Sequence, residues 1–312
     1  MCISVFLWQA HPLYPFLLLF NRDEYHDRDV TAGGTWLASS REGKVAFVTN
    51  VREVKSTSAA KSRGDLPVRF LQSNKDPVEF AEEIVNEADQ YNGFNLIIAD
   101  VLSMSMVYVT NRLKGDGCYM TTVAPGVHVL SNASLDTPWP KAQRLEHGFK
   151  DLLDEYGVGE IPINEMANKL MGNTVKDDIS MLPQIYTPEF EYQLSSVFVN
   201  IVSTERPYGT RSTSALTVKV NGEVFFYEKH LENDLWKEQT ETYTIEKNDK
   251  MFLIASALIR QKCPQRRCCL ERSGNPELFA EFWAELCVFW ASRDNRLVQA
   301  FFEAGYARFK LV

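Results

Sequence analysis

The chain has 312 residues and a formal net charge of −8, which excludes the strongly basic balance of a typical nucleic-acid-binding protein. Hydrophobic residues make up 45% of it and charged residues 24%, which gives enough apolar side chains for a core of several layers. The apolar stretch over residues 3–20 is interrupted by Gln9, His11 and Pro12, so it predicts neither a transmembrane segment nor a cleavable signal peptide. We therefore expect a cytoplasmic protein that binds no nucleic acid.

The first predicted elements are strands. Apolar runs over residues 3–8 and 14–20 flank a polar, proline-containing turn, and together they indicate a hairpin whose second strand ends at 21–24. Two further β-rich runs are expected at 31–37 and 44–50, and a polar loop is expected at 51–65. The N-terminal region is therefore predicted to be mainly β-structure.

The middle of the chain combines helices and strands. Asp76 and Pro77 are residue types preferred at a helix N-cap and first turn, so they predict a helix that begins there. The remaining segments are expected as strands at 93–99, 105–110, 127–130, 197–202, 214–220, 223–227 and 241–245, and as helices at 140–153 and 163–171. Strands on both sides of a helical region fit layered sheets flanked by helices better than a βαβ repeat. We therefore predict an α+β fold.

The sequence changes character near residue 248, and we divide it into a domain over 1–247 and a helical extension over 248–312. Apolar side chains at helical spacing over 276–292 predict an amphipathic helix. Its acidic polar face favours docking on the body of the protein over membrane binding. The cysteines that follow Cys263 lack the spacing of a zinc finger, so we expect no metal site. We expect the extension to be dispensable for the fold of 1–247.

Cys2 is the first residue with candidate chemistry. Removal of Met1 would give Cys2 both a thiol and a free α-amine. An α-amine has a pKa of about 7.7–8.0, so it can accept the thiol proton near neutral pH. Nucleophile and base would then belong to one residue. Position alone favours the other interpretation, in which Cys2 is a small buried residue.

Arg22 and Asp23 are candidate partners of that cysteine. The predicted hairpin brings the end of its second strand back beside residue 2. Arg22 could lower the thiol pKa and hold an anion, and Asp23 could orient the α-amine. If the strand stays extended, the two side chains point to opposite faces and only one lies on the side of Cys2. The alternative is a solvated charged turn.

Three further polar residues are candidate members of the site. Asn50 and Asn132 each follow a predicted strand, where a side-chain amide can donate to a developing oxyanion. Arg211, in the polar stretch 208–213, is a candidate anion clamp. Each asparagine taken alone is more often a turn residue, and the stretch 208–213 taken alone reads as a solvated loop.

A series of motifs gives these residues a common context. They are Met-Cys-Ile at the start, Asn-Arg-Asp-Glu at 21–24, and the segments 32–37, 49–52, 62–66, 92–95, 130–133, 139–141 and 208–213. In order and wording, this series resembles the transport and Golgi organisation protein 2 homologues, also called the NRDE family, and its plant members most of all. The resemblance extends from residue 1 to about residue 246.

The resemblance implies a fold and a chemistry. The family resembles the N-terminal-nucleophile hydrolases, which implies an αββα four-layer sandwich related to cysteine amidases. Cys2, Arg22 and Asn132 match the site of those enzymes, whereas Asp23 matches less well because more residues separate Arg from Asp there. The roles proposed for the family are Golgi organisation, protein secretion, and handling of haem or lipid in cytoplasm and mitochondria.

Three functional hypotheses remain open. In the first, the chain is an amide or thioester hydrolase that acts through Cys2 on a small acylated molecule and requires no cofactor. In the second, it is a carrier of haem or an acyl lipid that kept the fold without the chemistry; the five scattered histidines and the absence of a Cys-x-x-Cys-His motif give little support to haem ligation. In the third, it is a trafficking scaffold at the Golgi.

Overall fold

The structure, a computed structural model, describes residues 2–25, 34–54, 56–112, 119–202 and 207–246. The helices and strands described below belong to one compact unit formed by Met1–Gly157 and Ile161–Glu246. The predicted extension over 248–312, with its helix and its cysteines, lies outside the described residues.

Two antiparallel sheets form the centre of this unit. Within the described residues the first sheet has seven strands, numbered here in chain order: β1 (Cys2–Trp8), β2 (Phe16–Tyr25), β8 (Gly126–Leu130), β9 (Asn200–Ile201), β10 (Tyr208–Val218), β11 (Glu223–Glu232) and β12 (Leu235–Thr244). Its order is β12-β11-β10-β2-β1-β8, with β9 also paired to β10. The second sheet runs in the order β3 (Leu37–Ser39), β4 (Lys44–Asn50), β5 (Phe94–Asp100), β6 (Ser105–Thr110) and β7 (Tyr119–Thr122).

Five helices belong to the described residues, and the first four of them pack on the outer faces of the two sheets. They are α1 (Asp65–Gln72), α2 (Pro77–Asn86), α3 (Pro140–Tyr156), α4 (Ile163–Met171) and α5 (Pro188–Gln193). One apolar core joins α3 and α4 to the first sheet, a second lies between the sheets, and a third joins α1 and α2 to the second sheet. The predicted α+β fold is therefore confirmed, and its layers of helices and sheets are compatible with the αββα sandwich of the N-terminal-nucleophile hydrolases.

β1 shows why the central strands read as continuous apolar runs. Alternate side chains point to opposite faces, so Ile3, Val5 and Leu7 pack towards the helices while Cys2, Phe6 and Trp8 pack between the sheets. Both faces are covered, and every residue of the strand is buried.

Local signals place two helices where the sequence predicts them. The Asp76 side chain accepts from the backbone N–H groups of Val78 and Glu79, at 2.8 and 2.9 Å, and the Glu79 side chain accepts from the Asp76 N–H. This reciprocal capping box fixes the start of α2. α4 spans the predicted residues 163–171.

Other elements differ from the predictions. The stretch 208–213, read as a solvated loop, is the start of β10, and its residues pair with the end of β2. The strand predicted at 197–202 is reduced to the two residues of β9. α1 and α5 were not predicted, and β12 begins earlier than expected. Among the described residues, no helix is long and apolar enough to cross a membrane.

Candidate active site

Cys2 lies at the end of β1, between β2 and β8. The β1–β2 register pairs Cys2 with Arg22. The β1–β8 register pairs Ser4 with Leu130, so two further residues along the antiparallel strands Asn132 lies beside Cys2. The Ser131 hydroxyl supports this placement because it donates to the Cys2 carbonyl oxygen at 3.1 Å. The structure therefore brings Cys2, Arg22 and Asn132 to the same end of the first sheet.

Arg22 and Asp23 lie on opposite faces of that sheet. β2 continues without a break through Tyr25, so its side chains keep alternating. Arg22 shares the face between the sheets with Cys2. Asp23 points to the helix side, where its Oδ1 accepts from the Thr210 hydroxyl at 2.8 Å. Of the two candidate partners, Arg22 is therefore the one on the side of the thiol.

Asp23 and Lys141 are two buried ionisable groups that interact electrostatically. Burial raises the pKa of the Asp23 carboxyl, and the positive charges of the N-terminal amine and of Lys141 act against that shift. Lys141 is 3% exposed and donates to the Leu194 carbonyl at 3.1 Å. Its burial, together with the charge of Arg52, lowers its pKa to about 8, although Asp23 and Cys2 raise it. The sequence assigned Lys141 no role, although it belongs to the motif at 139–141.

A buried ion pair fixes the backbone next to Asn132. The Arg52 backbone N–H donates to the Asn132 carbonyl at 2.7 Å, and the Arg52 guanidinium bonds to Glu191. The guanidinium also lies over the Trp139 ring, 4.7 Å from its centroid. The other oxygen of Glu191 accepts from the backbone N–H of Tyr186 at 3.0 Å. Arg52 and Glu191 were not predicted as site residues, because the sequence does not reveal that they meet.

The two candidate oxyanion donors lie together. The Asn132 side-chain amide donates to the Asn50 carbonyl at 2.9 Å, which joins the end of β4 to the segment after β8. The Oδ1 of Asn50 is shielded from solvent and has no hydrogen-bond partner within the described residues. The Asn132 side chain is therefore held by a hydrogen bond to the backbone at the end of β4.

The surroundings of the Cys2 thiol keep it protonated. Full burial raises the pKa of the thiol to about 11, and the charge of Asp23 acts in the same direction, while the N-terminal amine, the Asp23 backbone N–H and Arg22 act in the lowering direction. Arg63 is a further cation near this face that the sequence analysis left unassigned, although it belongs to the motif at 62–66. It donates to the Gly93 carbonyl at 2.9 Å and lies 5.9 Å from the centroid of the Trp36 ring.

A cavity of about 280 Å³ opens beside Arg22, between the two sheets. Arg211 lines it from β10 and donates to the Leu231 carbonyl at 3.1 Å. The structure therefore places Arg211 in a strand at a cavity, and not in a solvated loop. Within the described residues, no group of three or more His, Cys, Asp and Glu side chains is arranged to hold a metal ion. The expectation that no metal and no cofactor are required stays a prediction.

Comparison with known proteins identifies the family to which this chain belongs. A family model described as Transport and Golgi organisation 2 matches residues 1–32 and 28–233. The Transport and Golgi organization protein 2 homolog of Bos taurus is 30% identical over 264 residues, which cover 74% of this chain and 93% of the bovine protein. The homologs of Mus musculus and Homo sapiens are each 28% identical over 276 residues, or 78% of this chain and 98% of theirs. The resemblance seen in the motifs is confirmed, and the chain belongs to the Transport and Golgi organisation 2 family.

Proposed function

We propose that this chain is a cysteine N-terminal-nucleophile hydrolase that cleaves an amide or a thioester through Cys2. One observation carries the proposal: Cys2 shares one end of the sheet with Arg22 and Asn132, and a cavity opens beside Arg22. A nucleophile, an anion-stabilising cation and amide donors beside a cavity are the parts that acyl transfer requires.

Activation of the thiol depends on the mature N-terminus. A thiol whose pKa is about 11 is neutral near pH 7 and is a poor nucleophile. Removal of Met1 would place an α-amine on Cys2 itself, and such an amine has a pKa of about 7.7–8.0. The amine would take the thiol proton, and the nearby carboxylate of Asp23 would stabilise the resulting ammonium.

The proposed reaction has two steps. The Cys2 sulfur attacks the substrate carbonyl carbon and forms an S–C bond, while the side-chain amides of Asn132 and Asn50 donate to the oxyanion. The tetrahedral intermediate collapses, the C–N or C–S bond of the substrate breaks, and the α-ammonium gives its proton to the leaving group. Water then adds to the acyl-cysteine thioester, the S–C bond breaks, and the free acid and the thiol are released.

Labelling with an acyl probe tests this proposal. The purified chain is exposed to p-nitrophenyl acetate, and the acetylated peptides are identified by mass spectrometry, because the chain has five other cysteines. We expect rapid acetylation of an N-terminal peptide that begins at Cys2. The Cys2→Ala variant should lose this label, and a Cys118→Ala control should keep it. If the Cys2→Ala variant is labelled to the same extent as the wild type, the proposal is wrong.

A wild-type chain that is not labelled at Cys2, but binds haem or an acyl lipid saturably, would support the carrier hypothesis instead.

The family description also leads us to propose a role in Golgi organisation or transport. The relatives are named for that role, and the chain covers almost all of their length. A fluorescent tag placed after Val312, which leaves the N-terminus free, would be compared with Golgi and mitochondrial markers in cells. We expect overlap with the Golgi marker. Exclusion from the Golgi, with overlap at mitochondria only, would contradict this role.

A further inference from the structure

Three consecutive backbone carbonyls after β8 are held from the side of the second sheet. The segment 131–135, which contains Asn132, consists of bends and turns and belongs to neither a helix nor a strand. The carbonyls of residues 131, 132 and 133 accept, in this order, from the Thr49 hydroxyl at 2.6 Å, the Arg52 backbone N–H at 2.7 Å and the Asn95 side-chain amide at 2.8 Å. The position of Asn132 therefore depends on groups from other parts of the chain.

Thr49 and Asn95 form a buried polar pair on the face of the second sheet that packs against the first. They are register partners on β4 and β5, both are fully buried, and the Asn95 amide donates to the Thr49 hydroxyl at 3.2 Å. The Asn95 Oδ1 accepts from the Tyr108 hydroxyl at 2.8 Å. The same face is apolar two residues earlier and later along these strands, at Phe47 and Ile97. Because every hydrogen-bonding atom of the Asn95 side chain has a partner, its orientation is fixed.

The segment 131–135 links this pair to the nucleophile. The Ser131 hydroxyl donates to the Cys2 carbonyl at 3.1 Å and lies 3.3 Å from the Asn132 Oδ1. The Asn132 Nδ2 carries two N–H bonds, and one of them donates to the Asn50 carbonyl at 2.9 Å. Within the described residues the second N–H has no acceptor, so it can donate to an oxyanion formed at Cys2.

We propose that Thr49, Asn95 and Ser131 are positioning residues, which hold the Asn132 amide where the oxyanion of acyl transfer develops. This inference rests on the proposed function of Cys2 as a nucleophile. A hydrogen-bond donor stabilises a transition state strongly only when it is fixed in place beforehand, and a displacement of about 1 Å costs about a hundredfold in rate. Thr49 and Asn95 should therefore affect the reaction although neither of them bonds to Cys2.

Two reagents that react with the Cys2 thiol separate positioning from a general disturbance of the site. p-Nitrophenyl acetate acylates the sulfur through an oxyanion and releases p-nitrophenol. Iodoacetamide alkylates the sulfur in one step, in which the S–C bond forms as iodide leaves, and no oxyanion develops. A displaced Asn132 should therefore slow acetylation and leave alkylation unchanged. Peptide mass spectrometry follows both rates at Cys2.

Thr49→Val removes the hydroxyl and keeps the shape of the side chain. We expect it to slow acetylation of Cys2 by about tenfold or more and to leave alkylation within about twofold of the wild type. Thr49→Ser restores the hydroxyl and should be acetylated like the wild type. Thr110→Val is the matched control, because the Thr110 hydroxyl is equally buried and donates to the Phe94 carbonyl at 3.0 Å and not to the segment 131–135.

The thermal transition of each variant shows whether it is folded. If Thr49→Val does not fold, Ser131→Ala replaces it. Its control is Ser4→Ala, since the buried Ser4 hydroxyl donates to the Leu130 carbonyl at 3.2 Å across the same two strands. A folded variant that is acetylated as fast as its control, or that is slowed equally with both reagents, would overturn the proposal.

A second measurement covers a wild type that is not acetylated at Cys2. That result would reject the proposed hydrolase, and amide hydrogen exchange of the segment 131–135 would then decide on the positioning. Exchange that is about threefold or more faster in Thr49→Val than in Thr110→Val would support it, as the loss of one hydrogen bond predicts. Equal exchange in the two variants would overturn it.

Discussion

The two ends of the layer between the sheets differ in chemistry although the same strands form both. At the closed end Trp8, Phe16, Leu18 and Val218 are buried in apolar contact. At the polar end, defined by Cys2, Arg22, Asn132, Ser212 and His230, polar and charged side chains occur among the apolar ones, and Arg22, Ser212 and His230 line a cavity.

A single strand shows the change. The residues of β2 that face between the sheets are Phe16, Leu18, Phe20 and then Arg22. Burial of the first three contributes stability, at about 25 cal/mol for each Å² of apolar surface removed from water. On this strand face the side chains therefore change from apolar residues packed in the core to a charged residue that lines the cavity.

We expect the largest loss of stability from breaking the ion pair between Arg52 and Glu191, which lies next to Asn132. Arg52→Met leaves the carboxylate of Glu191, which is 1% exposed, without its cation. We expect the free energy of unfolding to fall by about 3–5 kcal/mol, because an uncompensated buried charge remains. Urea denaturation measures this fall in the free energy of unfolding. The double variant Arg52→Met/Glu191→Leu should be more stable than the single one, and a loss below about 1 kcal/mol in the single variant would contradict the assigned burial.

At the closed end, a cavity-creating substitution should act on stability alone. Leu18 is fully buried between the sheets, so Leu18→Ala should lower the free energy of unfolding by about 2–5 kcal/mol. Because Leu18 lies at the closed end, the rate of Cys2 acetylation in the folded variant should be unchanged. A change in that rate would show that the two ends are not independent.

Hydrophobic pattern and capping predicted the apolar parts of the fold. The first hairpin, α2 and α4 were expected close to their observed positions, because their signals are local. The start of β10 was missed because its polar residues are buried through hydrogen bonds. The Thr210 hydroxyl donates to Asp23 at 2.8 Å, and the Thr213 hydroxyl donates to Asn21 at 2.7 Å. Strand prediction from alternating apolar and polar residues misses a strand whose buried side chains are polar on both faces of the sheet.

The candidate site was predictable only in part. The hairpin alone was enough to place Arg22 beside Cys2, since the two are close in sequence. Lys141, Arg63 and Glu191 reach the region through long-range packing, which sequence periodicity does not encode. The β-bulge at Arg211 depends on register, and register is set by the whole sheet.

Lys141 should make the stability of the folded chain depend on pH. Its pKa is about 8 in the folded chain and about 10.4 in an unfolded one, so the unfolded state binds more protons between these values. The stability of the wild type should therefore rise from pH 8 to 10.4 as the cost of the buried charge disappears. Lys141→Met should lack this rise, which we expect to be on the order of 2 kcal/mol.

Urea denaturation of both proteins from pH 7 to 10.5 measures the difference. The thiol of Cys2, with its pKa of about 11, contributes the opposite trend above pH 9, but it is present in both proteins and cancels. Parallel stability curves for wild type and variant would contradict the lowered pKa of Lys141.

The smallest expected effect on stability is at the wall of the cavity. Ser212 is 7% exposed and lies between Arg22 and His230 on the sheet, so Ser212→Ala removes only one hydroxyl. We expect the free energy of unfolding to change by less than about 1 kcal/mol. A large loss of stability would show that the polar end also holds the fold together.

We propose that Cys2 reacts with the help of its own α-amine, and inserting one residue before Cys2 tests this proposal. An alanine placed between Met1 and Cys2 keeps the thiol but moves the free amine to another residue. Stopped-flow acetylation by p-nitrophenyl acetate would be followed in both chains, with each mature N-terminus verified by intact mass. We predict that the insertion slows acetylation of the cysteine by about a hundredfold or more, the contribution of a positioned general base. Equal rates in the two chains would show that the α-amine of Cys2 is not the base.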